Sequence, residues 1–168
     1  LALSKTGSTV LLIDTDLRKP DLHKLFKFRN DRGLTNYLLD RNIGLEAIIN
    51  HSIYRDVSIL GSGPIPPNPS ELISTGKFKE MVEELSSCYD YLLFDTPPVN
   101  AVTDAAILSQ YADATLFVIM HGRVTREEAA YGLEQLKKVN ANIVGAVMNA
   151  LPAKNGAYYY YYDYGAKA

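Results

Sequence analysis

The chain has 168 residues, 47% of them hydrophobic and 21% charged, with a formal net charge of −2 at pH 7. That is the size of one domain with enough apolar mass for a core, and the charge balance gives no electrostatic reason to expect nucleic acid as a partner. The single cysteine, Cys88, excludes an intrachain disulfide and fits a reducing compartment, and no apolar run approaches the ~20 residues that cross a bilayer. The segment Leu1 to Gly7 has neither the basic region nor the apolar stretch of a signal peptide. No initiator methionine is present, so the chain is expected to start inside a longer protein.

Leu1 to Lys5 reads as the end of a helix and Thr6-Gly7-Ser8 as the turn into a strand. Val10 to Ile13 is a short apolar run closed by Asp14. Val57 to Leu60 is a weaker run, and Tyr91 to Phe94 is another, closed by Asp95. Ala114 to Met120 and Ile143 to Met148 complete the set. Runs this short, apolar on both faces, predict strands buried between helical layers. A helix is predicted from Asn68-Pro69-Ser70-Glu71 to Ser87, with Asn68 or Ser70 as its cap and Pro69 in its first turn. Thr103-Asp104 opens a helix through Gln110. Thr125 to Val139 is another, with Thr125 and Glu128 spaced as a capping box and Leu133 and Leu136 on its inner face. Residues 61–69 hold four prolines in nine and predict a stiff loop. Strands alternating with helices imply an α/β fold with a mainly parallel sheet. Residues 1–151 are expected to form the folded domain, and residues 152–168 a flexible tyrosine-rich tail.

In an open parallel sheet, ligands bind at the carboxyl ends of the strands. Asp14 and Asp95 each follow a strand directly, and Asp16 lies two residues beyond Asp14. Carboxylates gathered on one edge repel one another unless a cation neutralises them. Mg²⁺ suits that role: it takes hard oxygen ligands, keeps waters and shares phosphates. Read singly, each Asp is equally well the cap of the next helix. Two of them at strand ends, one followed by Thr-Pro-Pro, favour the functional reading, and the second resembles the Walker B carboxylate of P-loop NTPases.

These residues carry a resemblance. Leu11 to Pro20, with Asp14-Thr15-Asp16-Leu17-Arg18, resembles the second Walker A-type motif of bacterial tyrosine kinases (BY-kinases) of the capsular and exopolysaccharide biosynthesis family. Tyr91 to Pro98 is similar to their Walker B motif, and Gly61 to Leu72 to a further segment typical of them. The resemblance spans the whole chain. It implies a P-loop NTPase-like three-layer sandwich and ATP with Mg²⁺ organised by Asp14, Asp16 and Asp95. It also implies a proton acceptor for the incoming tyrosine, Asp14 or Asp16, with Asp14 preferred though the two are not ranked by sequence. Arg18 belongs to the matched motif and is expected to organise the site. Asn149 matches an adenine-recognising position of related ATPases, and a plain turn residue is the competing reading.

The family's phosphate loop, Gly-x-x-x-x-Gly-Lys-Ser/Thr, is absent from the sequence. The resemblance puts it, and the strand before it, upstream of Leu1, with that strand inside the sheet. This chain alone is therefore expected to bind ATP poorly. Six of the twelve tyrosines, Tyr158, Tyr159, Tyr160, Tyr161, Tyr162 and Tyr164, cluster near the end. They match the family's autophosphorylated tail, each phosphate adding roughly −1.5 to −2 charges. A sticky β-prone segment is the bland alternative.

The resemblance further implies ring-shaped homo-oligomers that phosphorylate one another's tails. It implies a transmembrane activator (a polysaccharide co-polymerase), a tyrosine phosphatase, and a cytoplasmic location at the inner face of the plasma membrane. A partition-type ATPase without kinase activity and a non-catalytic docking module are the alternatives. Arg18, Lys19, His23, Lys24, Lys27, Arg29 and Arg32 form a basic stretch, read as a solvated helix face except for Arg18. His51 and His121 lack partners at metal-ligand spacing and read as structural, and Cys88 as a small buried residue.

Overall fold

A computed structural model describes residues 2–52 and 54–152; the tyrosine cluster lies outside them. Among the described residues there are six strands: β1 (Val10–Asp14), β2 (Ile49–His51), β3 (Val57–Leu60), β4 (Tyr91–Asp95), β5 (Thr115–Met120) and β6 (Ile143–Asn149). The first four form one sheet in the order β2-β3-β1-β4, and β5 and β6 pair with each other. β1 runs parallel to both β3 and β4, and β5 parallel to β6; only β2 is antiparallel. Each apolar run of the sequence is thus a strand. β2 escaped prediction because its three residues, Ile-Asn-His, make no apolar run.

The helices are α1 (Leu22–Phe26), α2 (Leu34–Leu39), α3 (Pro69–Ile73), α4 (Gly76–Ser86), α5 (Asp104–Leu108) and α6 (Arg126–Lys138). Leu11 and Ile13 of β1 meet Leu17, Leu34, Ile73, Phe78, Met81 and Leu108 in one core. Phe78 stands edge-on to Tyr111 with ring centroids 5.1 Å apart, a favoured aromatic arrangement. The capping box of α6 forms as predicted: Glu128 N–H donates to Thr125 Oγ1 at 3.2 Å, and Thr125 N–H to Glu128 Oε2 at 2.8 Å. Leu136 is buried and Leu133 half-buried. At the start of the chain only a 3₁₀ turn, Ser4–Thr6, stands where a helix end is expected, closed by Gly7 in the left-handed region.

Three expectations need correction. The helix predicted over 68–87 is two. Thr75 adopts an extended backbone, ends the first piece and accepts the Phe78 N–H to start α4. This re-aims the chain so that both Ile73 and the Phe78-Met81-Leu85 face reach the core. Neither Asn68 nor Ser70 caps α3 with its side chain: Asn68 bonds Glu71, and Ser70 bonds Asp104. Cys88 is exposed, on the turn between α4 and β4 beside the equally exposed Ser86 and Ser87.

Burial on both faces holds for β3 and nearly so for β1, but not for the later strands. Leu93 on β4, Leu116 and Val118 on β5, and Val144 and Met148 on β6 are exposed. Among the described residues β4 pairs only with β1, and nothing joins it to β5, so the sheet parts there. Among the described residues no helix is long and apolar enough to cross a membrane.

Candidate active site

The register of β1 against β4 sets Asp14 directly opposite Asp95, so the two carboxylates emerge level at the ends of adjacent parallel strands. Thr15 locks this edge. Its N–H and its hydroxyl both donate to the Asp95 carbonyl, at 2.9 and 2.6 Å, and the residue is fully buried. Asp14 is itself fully buried. Its Oδ2 accepts the Leu22 N–H at the start of α1, at 3.2 Å, while Oδ1 has no hydrogen-bond partner. A buried carboxylate oxygen left unpaired is costly unless a proton or a cation meets it.

The electrostatics follow. The Asp14 carboxyl is pushed up to about 6: burial raises it most, the charges of Asp95 and Asp16 add to that, and the Leu22 and Asp16 N–H groups pull the other way. The Asp95 carboxyl is raised as well, by burial first and then by Asp16 and Asp21; its outer side remains open to solvent. Asp16 therefore acts on both strand-end carboxylates, and the three predicted acidic residues share one electrostatic site.

Asp16 Oδ1 accepts the N–H groups of Arg18 and Lys19, at 3.1 and 2.9 Å, closing a tight turn after β1. The Arg18 side chain leaves that turn and reaches Asp104, with Nε to Oδ2 at 2.8 Å and Nη2 to Oδ1 at 3.1 Å. Ser70 Oγ also donates to Asp104, at 2.6 Å. Burial alone would raise the Asp104 carboxyl, but the Arg18 and Ser70 hydrogen bonds and the guanidinium charge bring it below the usual carboxylate range. Beyond Arg18 opens a cleft of about 570 Å³ whose lining includes Lys19, His23, Lys24, Gly63 and Ile65. Lys19, Lys24, Lys27, Arg29 and Arg32 are exposed, with Lys24 paired to Asp21 and Arg29 to Asp31, whereas His23 departs from the solvated-face expectation: it is half-buried and its Nδ1 is buried without a hydrogen-bond partner.

Asn149 ends β6, is exposed, and accepts the Ala150 N–H. Among the described residues it shares no hydrogen bond with the aspartates. His51 and His121 are exposed. Thr15, Ser70 and Asp104 were not singled out as site residues by sequence. The first two are small hydroxyl residues inside matched segments, and Asp104 reads there only as a helix opener.

Among the described residues no three His, Cys, Asp or Glu side chains are arranged to hold a metal ion by themselves. Mg²⁺ does not need such a cage, because it retains waters and binds one or two carboxylates plus phosphate oxygens. The unpaired, buried Oδ1 of Asp14 beside a second carboxylate fits a hard cation of that kind.

A family model described as an AAA domain matches residues 1–151. The tyrosine-protein kinase YwqD of Bacillus subtilis is 41% identical over 162 residues, covering 96% of this chain and 68% of that protein. The tyrosine-protein kinase CpsD of Streptococcus agalactiae is 33% identical over 168 residues, covering 99% of this chain and 73% of that protein. Among solved structures, the chimerical protein CapA2B2 superposes with a TM-score of 0.86 at 35% identity, covering 90% of this chain and 66% of the other. The Pyrococcus furiosus cell division ATPase MinD, at 22% identity and a TM-score of 0.73, shares the fold alone. The architecture is thus the α/β, parallel-sheet fold of P-loop NTPases. From its strand-end aspartates, its motif order and these likenesses, the chain belongs to the family of bacterial tyrosine-protein kinases.

Proposed function

We propose that this chain carries the catalytic carboxylates of an ATP-dependent protein-tyrosine kinase that modifies the tyrosine clusters of like chains. The observation that carries this reading is the level pair Asp14 and Asp95, with Asp14 Oδ1 buried and unpaired. When bound, Mg-ATP supplies the phosphoryl group and the charge that neutralises this pair. Asp14, Asp16 and Asp95 would hold the metal, and the charge of Asp16 acts on both strand-end carboxylates. Without the metal the Asp14 carboxyl sits at about 6 and is ionised at neutral pH, so as a carboxylate within reach of the incoming tyrosine it would serve as the proton acceptor. With the nucleotide bound, the tyrosine oxygen would bond to the γ-phosphorus as the bond to ADP breaks, and the proton would rest on Asp14. The cleft lined by Arg18, Lys19, Asp21 and His23, which opens from the turn after β1, would give an acceptor peptide room. In this reading Asn149 lies near the adenine.

The wider setting belongs to the same proposal: ring-forming like chains, a transmembrane activator of polysaccharide assembly, and an opposing tyrosine phosphatase at the inner face of the plasma membrane. Mass spectrometry of the intact protein, expressed with its activator, tests the reading. Phosphate is expected on the tyrosines of residues 158–164. Phosphate found only elsewhere, or none, contradicts it and favours a partition-type ATPase or a docking module. Residues 1–168 contain no Gly-Lys-Ser/Thr cradle for phosphates, so this segment alone is expected to bind Mg-ATP weakly. Micromolar affinity in a nucleotide titration would overturn that expectation.

A further inference from the structure

The side chain of Asp104 is almost fully buried, 1% exposed, yet its hydrogen-bond partners come from two distant segments. Arg18 arrives from the turn after β1, and Ser70 from the start of α3. Asp104 itself stands where the loop leaving Asp95 enters α5. Arg18 Nη2 also donates to Ser70 Oγ at 2.9 Å, so the three side chains close a triangle. Three of the four polar contacts in it involve the guanidinium of a residue whose own N–H is held by Asp16. The two loops that carry the acidic site are thereby tied together by one carboxylate.

We propose that Asp104, assisted by Ser70, is a positioning residue of this site. By holding the Arg18 guanidinium it fixes the Asp16–Lys19 turn relative to Asp95, and it keeps that guanidinium from pairing directly with the Asp16 carboxylate. This rests on the metal-nucleotide reading above. The competing role is an ordinary one: an acid in the first turn of α5 that favours the helix start. The two differ in what they predict. A helix-start acid contributes to stability irrespective of Arg18. A guanidinium holder loses its purpose once Arg18 is gone. Freed from Asp104, the Arg18 guanidinium has Asp16, whose charge already acts on it, as an acid on its own turn to pair with, and a carboxylate paired to arginine is a poorer neighbour for Mg²⁺.

The test is a Mg²⁺ titration of fluorescent ATP-analogue binding to the intact protein, with melting temperature recorded in parallel. Asp104→Asn is expected to raise the half-saturating Mg²⁺ concentration about tenfold, the low end for loss of a group that orients a ligand-bearing segment. In an Arg18→Gln background the same substitution is expected to add less than about twofold, since coupled residues are non-additive. Ser70→Ala, the gentler change should Asp104→Asn fail to fold, is expected to shift the titration about threefold in the same direction. A Mg²⁺ requirement unchanged in Ser70→Ala, or an Asp104→Asn effect equally large without Arg18, overturns the proposal. Binding that ignores Mg²⁺ in the unsubstituted protein overturns it too. A protein that shows the expected Mg²⁺ shifts but places no phosphate on tyrosine would contradict the kinase reading and leave this positioning role intact.

Discussion

Replacing Asp14 with asparagine is expected to make the intact protein more stable at neutral pH while sharply slowing its phosphoryl transfer. The folded Asp14 carboxyl holds its proton up to about 6, against an ordinary value of 3.8. Between those values the folded state binds more protons than the unfolded one, so stability falls as the pH rises through this window. It stays low above it. At about 1.4 kcal/mol per unit, the ionised group costs up to roughly 3 kcal/mol at neutral pH. Asparagine keeps an acceptor for the Leu22 N–H and removes the charge, so most of that cost is expected to vanish. Chemical denaturation without nucleotide, at pH values below and above this window, reads the difference. The substitution should stabilise above it, and the unsubstituted protein's decline in stability across it should flatten. Activity should drop about 10²–10⁴-fold, the scale of a lost general base. A variant no more stable than its parent at neutral pH would show that Asp14 is not a strained, cation-seeking carboxylate.

The second large effect lies in the support of the cleft. Gly33 has an extended backbone, so a side chain there is excluded by space and not by torsion. A Cβ would collide with the Gly61 carbonyl oxygen and the Gly63 N–H, both main-chain atoms that cannot swing aside. The contact is close because α2 is stitched to the proline-rich loop. Leu34 N–H donates to Gly61 O and Thr35 N–H to Ser62 O, each at 2.8 Å. Asn30 completes the stitching, accepting the Gly63 N–H at 2.9 Å and donating to the Gly63 carbonyl at 3.0 Å. Gly33→Ala must separate these segments, and is expected to cost about 3 kcal/mol or more, at the upper end of overpacking. Gly44→Ala is the control, with open space around its Cβ and an ordinary φ of −80°. Its urea midpoint should match the parent's or rise slightly, corresponding to a stability gain of about 0.5 kcal/mol. Equal midpoints for the two variants would contradict the packing described here.

What was legible in the sequence was what short-range pattern encodes. Asp14 and Asp95 could be placed because each closes an apolar run, and parallel strands of similar length bring such ends level. Thr125 and Glu128 could be paired because a capping box is fixed by a three-residue spacing. Asp104 could not be matched with Arg18 or Ser70: 86 and 34 residues separate them, and no periodicity spans such gaps. The exposed faces of β4, β5 and β6 were equally hidden, because an apolar run reports what a strand can bury and not which neighbour covers it. Thr75 shows a third limit. A threonine inside an apolar-periodic stretch is compatible with a continuous helix, and only the tertiary target decides that it breaks one.

The central claim is that Asp14 and Asp95 form one metal-nucleotide edge at the carboxyl ends of β1 and β4. A crystal structure of the intact protein with Mg²⁺ and a non-hydrolysable ATP analogue tests it most directly. The metal should lie within direct or single-water reach of Asp14 and Asp95, with the terminal phosphate above that edge. A metal and phosphates bound away from both residues would contradict the account.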